Sequence, residues 1–215
     1  MDYIINILPQ MGLGSLESLR IFLVVIALSL PLGMLLALGR ISGFLVIKKL
    51  IAFYVWVLRG SPLMLRMLFG YFASPTIGIY FEDFTAAIIA FVLNYAAYIC
   101  EIFRSGFQAI STGQFEAAHV LGMNYSQTLR RIVLPQVFRI VLPPISNETI
   151  TLVKDTSLVY VLAMNDLMRT TRNLVQRDFS IVPFLVAAVF YLLATLLLTM
   201  FFNKLERYLS RCNAD

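Results

Sequence analysis

Charge is scarce in this chain. Only 13% of its 215 residues are Asp, Glu, Lys or Arg, and 60% are hydrophobic. Soluble globular domains carry roughly a quarter charged residues, so a body wetted on all sides is not expected. A single histidine, His119, and two cysteines, Cys100 and Cys212, leave no disulfide framework and no partners with which His119 could complete a metal site. Cys100 lies in an apolar run and Cys212 in a polar tail, so the two are expected at different depths. Neither H-E-x-x-H nor G-x-S-x-G occurs, which leaves a membrane-embedded enzyme without support. No G-x-x-x-x-G-K-[ST] phosphate loop occurs either, so the chain is not expected to bind or hydrolyse ATP itself. Met1 to Leu19 contains no Lys or Arg, hence no charged start of a secretory signal, and the first hydrophobic segment is expected to persist. The net charge is +5, but no basic stripe interleaved with aromatics argues for nucleic acid. Tandem repeats and low-complexity tracts are absent.

What is present is apolar length. Ile21 to Gly39, Phe84 to Cys100 and Phe179 to Asn203 are free of charge and run 19, 17 and 25 residues. A helix needs about 20 such residues to cross hydrocarbon, rising about 1.5 Å per residue. Two more segments would cross but for internal charges: Leu50 to Ala73 holds Arg59 and Arg66, and Arg139 to Val161 holds Glu148, Lys154 and Asp155. Spans must be helical because hydrocarbon offers backbone groups no other partner. The expected architecture is therefore all-α, a polytopic membrane protein of about five spans forming one domain. The spans are placed at about 15–39, 48–73, 84–106, 138–161 and 179–205, with a polar loop at about 107–137.

The basic residues orient these spans. Arg40, Lys48 and Lys49, then Arg104, Arg130, Arg131 and Arg139, then Lys204, Arg207 and Arg211 all fall on one side if the N-terminus is outside and the C-terminus cytoplasmic. Arg169, Arg172 and Arg177 are the exception. Their segment, Met164 to Arg177, reads as a short amphipathic helix on the outer surface, capped by Asn165 or Asp166, for gating or docking, or else a solvated loop.

The polar loop is patterned. Gln114 to Leu121 reads as a helix started near Ser111, Thr112 or Gly113 and ended by Gly122, which tolerates the left-handed conformation. Ser126 is expected to cap a second helix reaching Val133, with Pro135 ending its regular hydrogen bonding. Ala117 and Ala118 leave room for another protein's surface, and Leu121, Met123 and Tyr125 offer apolar anchors. A hairpin packed only on its own chain is the alternative, and His119 reads as a surface residue.

Charges placed in hydrocarbon cost about 2.5–3.5 kcal/mol each on insertion scales, so they mark transport routes. Glu148 lies about 13 Å along a helix from Arg139, near mid-bilayer, and suits an ammonium or guanidinium group. Pro143-Pro144 one turn earlier is expected to bend or break this helix. An ion pair of Glu148 with Arg66 or Arg59 is the structural alternative. Lys154 and Asp155 lie near the outer interface, with a structural or gating role.

Four motifs carry a resemblance. Glu116-Ala117-Ala118, Gly122, Ile132, Leu134 and Pro135 read E-A-A-x3-G-x9-I-x-L-P. Asn94, Ala96, Ala97, Tyr98, Glu101, Arg104 and Gly106 read N-x-A-A-Y-x-x-E-x-x-R-x-G. Arg59-Gly60-Ser61-Pro62-Leu63 reads R-G-S-P-L, and Leu142 to Leu158 reads L-P-P-x-x-N-E-x-I-x-L-x-K-D-T-S-L. The chain resembles the membrane subunits of ABC importers, in particular the polar amino acid branch, from about Ser15 to Ser210. The resemblance implies the type I importer permease fold, with a coupling helix at Glu116, Ala117, Ala118, Leu121 and Gly122 seated on a separate ATPase. It implies a substrate site including Glu148, Asn94, Tyr98, Thr151 and Arg66, with Arg59, Pro62, Lys154 and Asp155 structural or gating. Asn94 and Tyr98 can equally bond a neighbouring helix. A glutamate after the asparagine accompanies import of histidine, lysine, arginine or ornithine, whereas Arg66 stands where relatives commonly carry Gln. A neutral or acidic polar amino acid, or cystine, is the runner-up substrate; an ATP-independent channel or scaffold is the remote alternative. Implied partners are two ATPase copies using ATP and magnesium, an extracytoplasmic solute-binding protein, and a second permease, a homodimer being slightly favoured over a heterodimer. The implied location is a bacterial inner or plasma membrane.

Overall fold

The computed structural model describes residues 2–211, and within them no strand occurs. Cys212 lies outside the described residues; Cys100 is a buried free thiol. The chain forms α1 (Asp2–Ile41), α2 (Leu45–Gly60), α3 (Leu63–Ala73), α4 (Asp83–Gln108), α5 (Thr112–Val120), α6 (Tyr125–Thr128), α7 (Leu134–Asp155), α8 (Leu167–Asp178) and α9 (Val182–Arg211). Among the described residues, helices α1, α4 and α9 are long and apolar enough to cross a membrane singly, and α2 with α3 passes the same test as a pair bent by 103°, a broken span or a re-entrant loop. Helix α7, which carries Glu148, Lys154 and Asp155, packs on both α4 and α9.

Helix α1 shows how an all-apolar helix chooses its face. Its buried residues Ile7, Met11, Gly14, Ser18, Ile21, Val25, Ser29, Gly33 and Ala37 recur every three or four positions, and most from Gly14 onward are small. The helix's other side, with Leu13, Leu16, Leu23 and Leu35, is exposed. Small residues let backbones approach where lipid supplies no hydrophobic drive between helices. Helix α1 thereby lies along α4, whose Ala86, Ala87, Ala96 and Ala97 are buried. The same logic joins α4 to α7: a Cβ added to Gly106 would collide with the Val141 side chain.

The elbow in the second span has a local cause. The ring of Pro62 drives the preceding residue out of the helical region, and Ser61 is extended at φ −124°, ψ 147°. Helix α2 therefore stops at Gly60 and α3 starts after Pro62.

Three expectations are corrected. The helix through Pro143 and Pro144 does not break there; α7 runs continuously to Asp155 and only then tightens into a 3-10 turn, Thr156–Leu162, ended by Ala163 at φ 64°. Flanking packing on α4 and α9 holds the proline pair in register. The second loop helix is capped by Asn124 rather than Ser126: the Asn124 carboxamide accepts from Gln127 N–H, and the Gln127 side chain accepts from Asn124 N–H. It also does not end at Pro135, because Leu129–Val133 widens to a π-helix that leads into α7. Proline lacks the N–H for an α-helical bond and its ring crowds the carbonyl four residues back, and the wider turn absorbs both effects.

Helix α8 falls within the amphipathic segment expected over Met164 to Arg177, with Leu167, Thr171 and Leu174 buried. Its Leu167 and Leu174 are buried with Ile7 and Met11 of α1 and Ala187 of α9. Asp166 caps it, accepting from Met168 N–H at 2.9 Å and Arg169 N–H at 3.0 Å. Its far end is tied to α1, where Tyr3 donates to Asp178 at 2.7 Å. The adjacent Arg177 guanidinium and the Tyr3 hydroxyl hold the Asp178 carboxyl down at about 2.

Candidate functional site

The elbow between α2 and α3 opens onto a cavity of about 560 Å³ walled by α4 and α7. Arg59, Pro62, Arg66, Asn94, Tyr98, Glu148, Thr151 and Asp155 all line it. Of the residues singled out for binding or gating, Lys154 alone is not among its lining; it is exposed on the last turn of α7. Residues far apart in sequence thus meet because the elbow, a continuous α4 and an unbroken α7 converge at one depth.

The polar groups pair as follows. Arg66 donates to the Leu58 carbonyl at 2.5 Å and to the Asn94 carboxamide oxygen at 2.5 Å. Its Nε is buried and has no hydrogen-bond partner among the described residues. The Arg59 guanidinium sits over the Tyr98 ring, 5.1 Å from its centroid. Tyr95 donates to Asp155 at 2.8 Å. Among the described residues neither Arg59 nor Arg66 forms an ion pair with Glu148. Arg59 is nonetheless near enough to act on Glu148 electrostatically, short of a direct ion pair. Asn94 does bond a neighbouring helix, through Arg66, while still facing the cavity.

Sequence reasoning did not select Tyr95, Ser61 or Leu158, which also line the cavity. Tyr95 was detectable in principle, since its spacing of three from Tyr98 puts both on one stripe of α4. Glu101, one turn further along α4, faces away from the cavity and joins Arg40 of α1 at 3.5 Å and Arg104 at 2.6 Å.

The arrangement offers two cations and two carboxylates in a half-enclosed space between membrane helices. Arg66 and Glu148 both line that space, one of each sign. Among the described residues no group of three or more His, Cys, Asp or Glu side chains is placed to hold a metal ion.

The polar loop forms a second candidate surface. Helix α5 starts at Ser111, whose hydroxyl accepts from Gly113 N–H. It closes with Gly122 N–H on the His119 carbonyl at 2.9 Å and Met123 N–H on the Ala118 carbonyl at 3.0 Å. That closure needs Gly122 at φ 72°, where a side chain would be strained. Glu116, Ala117, His119, Leu121 and Gly122 are exposed, whereas Ala118 is buried. Val120 at 84%, Leu121 at 77% and Tyr125 at 74% exposure place apolar side chains in the open, an arrangement characteristic of a docking surface.

Comparison with known proteins follows the same lines. Residues 29–211 match the family described as binding-protein-dependent transport system inner membrane component. The arginine transport system permease protein ArtQ of Bacillus subtilis is 37% identical, over 91% of this chain and 90% of its own length. The L-cystine transport system permease protein TcyB of the same organism is 34% identical, over 84% and 78%. A solved structure of an amino acid ABC transporter with histidines superposes with a TM-score of 0.89 at 29% identity, covering 96% of this chain and 97% of that one.

Proposed function

The chain belongs to the binding-protein-dependent transport inner membrane component family, and we propose that it carries a cationic amino acid, of the arginine, lysine, histidine or ornithine class, into the cytoplasm. It is a permease subunit of an amino acid ABC transporter, the ATPase being a separate subunit. One observation carries the cationic reading: Glu148 lines the elbow cavity with no direct ion pair to either nearby arginine, Arg66 bonding Asn94 and Leu58 and Arg59 lying over the Tyr98 ring. An unpaired carboxylate between membrane helices is costly unless a cation arrives to meet it. The Arg66 guanidinium, which lines the cavity, then meets the substrate carboxylate, and Thr151, Asn94 and Tyr98 complete the polar wall.

Energy enters through α5. Glu116, Ala117, Leu121 and Gly122 seat on the ATPase, and Ala118 anchors the helix to its own chain. The partner binds ATP and magnesium; this chain binds neither. Closure of two ATPase copies moves α5, and α7, continuous with the loop through the π-turn, passes that movement to Glu148 and Thr151. The ten basic residues on one side support an N-terminus outside and a C-terminus in the cytoplasm. A second copy of the chain completes the pathway, since the described helices leave the cavity open on one side. A solute-binding protein delivers substrate at the outer end.

The second reading, a neutral polar amino acid or cystine, draws on the formal balance of two arginines and two carboxylates around the cavity, and on the cystine permease among the relatives. The test is substrate-stimulated ATP hydrolysis in liposomes holding the assembled transporter and its solute-binding protein. Stimulation by arginine, lysine, histidine or ornithine, lost in Glu148→Gln while assembly persists, is expected. Equal or greater stimulation by glutamine or cystine, or an unaffected Glu148→Gln variant, overturns the cationic reading.

A further inference from the structure

A basic cavity lies outside the elbow site. It holds about 640 Å³ between the end of α1, the start of α2, the end of α4 and the α5–α6 loop. Arg40, Lys48, Lys49 and Arg104 line it, and no Asp or Glu does. Glu101 compensates only the two arginines, from behind: Arg40 at 3.5 Å and Arg104 at 2.6 Å. Arg40 also donates to the Lys48 carbonyl at 3.4 Å, and Arg104 to the Gln108 side chain. Lys48 and Lys49 are exposed. Three net positive charges therefore converge on one opening. The rest of the wall is apolar, including Leu45, Ala52, Phe107 and Leu129.

We propose that this cavity binds an anionic phospholipid of the cytoplasmic leaflet, its phosphate held by the basic rim and an acyl chain lying along Leu45 and Ala52. A basic pocket between spans at the cytoplasmic boundary suits such a headgroup. A free phosphate or a soluble anion would be served by the rim alone and gains nothing from Leu45, Ala52, Phe107 and Leu129. The position carries a consequence: α5 and α6 contribute Phe115 and Tyr125 to the same cavity, so a seated lipid braces the element proposed to meet the ATPase. The inference rests on the cytoplasmic placement of the loop under the proposed function, but its readout is independent of any transported substrate.

The experiment is native mass spectrometry of the assembled transporter purified with its ATPase, after exchange into phosphatidylglycerol, phosphatidylcholine or lipid-free detergent with inorganic phosphate. Retention of phosphatidylglycerol over phosphatidylcholine is expected. Lys48→Gln is expected to weaken it about fivefold, and the Lys48→Gln/Lys49→Gln pair about 30-fold. Ala52→Trp, which fills the apolar wall, is expected to lower retention with the rim intact. Equal retention of both lipids, or indifference to the lysine variants, overturns the proposal. Release of phosphatidylglycerol by millimolar inorganic phosphate with no effect of Ala52→Trp identifies a soluble-anion site instead and overturns it too. Lipid binding that appears only after the ATPase is removed makes the cavity a protein interface and likewise overturns the proposal. Failure of amino acid stimulation with lipid retention intact would count against the transport reading alone.

Discussion

Tyr95 of α4 donates its hydroxyl hydrogen to Asp155 at the end of α7, at 2.8 Å. The ring is nearly inaccessible and stacks parallel to Phe91 at 6.3 Å between centroids. The bond sits at the cavity's edge, where α7 tightens into its 3-10 turn, so it links α4 to the point at which α7 changes shape.

Tyr95→Phe leaves a half-buried Asp155 carboxylate without this donor, at a cost of about 1–3 kcal/mol. Thermal unfolding of the purified complex is expected to show the loss. Asp155→Asn, which keeps an acceptor for Tyr95, is expected to be milder. An unshifted Tyr95→Phe transition would show the bond to be dispensable.

Arg66→Gln removes the guanidinium whose Nε is buried and unpartnered, and replaces the charge-assisted bond to Asn94 with a neutral one. Binding of labelled arginine to the purified permease–ATPase complex is expected to weaken about tenfold or more. Tighter binding in the variant would mean that Arg66 merely offsets Glu148.

Gly122→Val forces a β-branched residue to φ 72° and opens the closure of α5. The backbone cost is about 1–2 kcal/mol, concentrated in a short loop helix. ATP hydrolysis is expected to lose its response to loaded solute-binding protein, with the spans still folded. Retained coupling would separate α5 geometry from energy transfer.

Gly106→Leu sets a side chain against Val141 where α4 meets α7. Overpacking of this kind costs about 1–3 kcal/mol. A lower thermal midpoint is expected, and a compensating Val141→Ala is expected to recover part of it.

Burial pushes the Asp166 carboxyl up to about 6, against the opposing effect of the two backbone N–H groups it caps. Between pH 4 and 6 the unfolded chain releases this proton while the folded one keeps it. Unfolding therefore becomes easier as pH rises through that window, and the contribution is complete below it. Thermal scans across pH 4–7 are expected to show this slope flattened in Asp166→Asn. An unchanged slope would assign it to another group.

Legibility varied with the range of the interaction. Gly122 was readable as a helix terminator because its requirement is local, a positive φ no other residue meets cheaply. The elbow at Pro62 is likewise local in cause, since the proline ring excludes Ser61 from the helical region. Pro143-Pro144 misled as a break because proline's effect on a helix depends on what packs against it, and α7, packed on α4 and α9, stays continuous through them. Ser126 misled because Asn124 offers a better cap two residues earlier, with Gln127 correctly spaced to reciprocate. Helix α8 was readable as amphipathic, but its apolar face meets α1 and α9, and the α1 segment lies more than 150 positions away.

From the chain alone came the membrane class, the all-helical architecture and the family, since these rest on apolar length and on motifs whose spacing is one-dimensional. Tertiary structure decided which polar groups are engaged and which stand open. Arg66 meets Asn94 across 28 positions and Tyr95 meets Asp155 across 60, leaving Glu148 lining the cavity with no direct ion pair to either arginine. Such pairings depend on how bent and straight helices converge at one depth. The same side chains, carried by a broken α7 or an unbroken second span, would have found other partners.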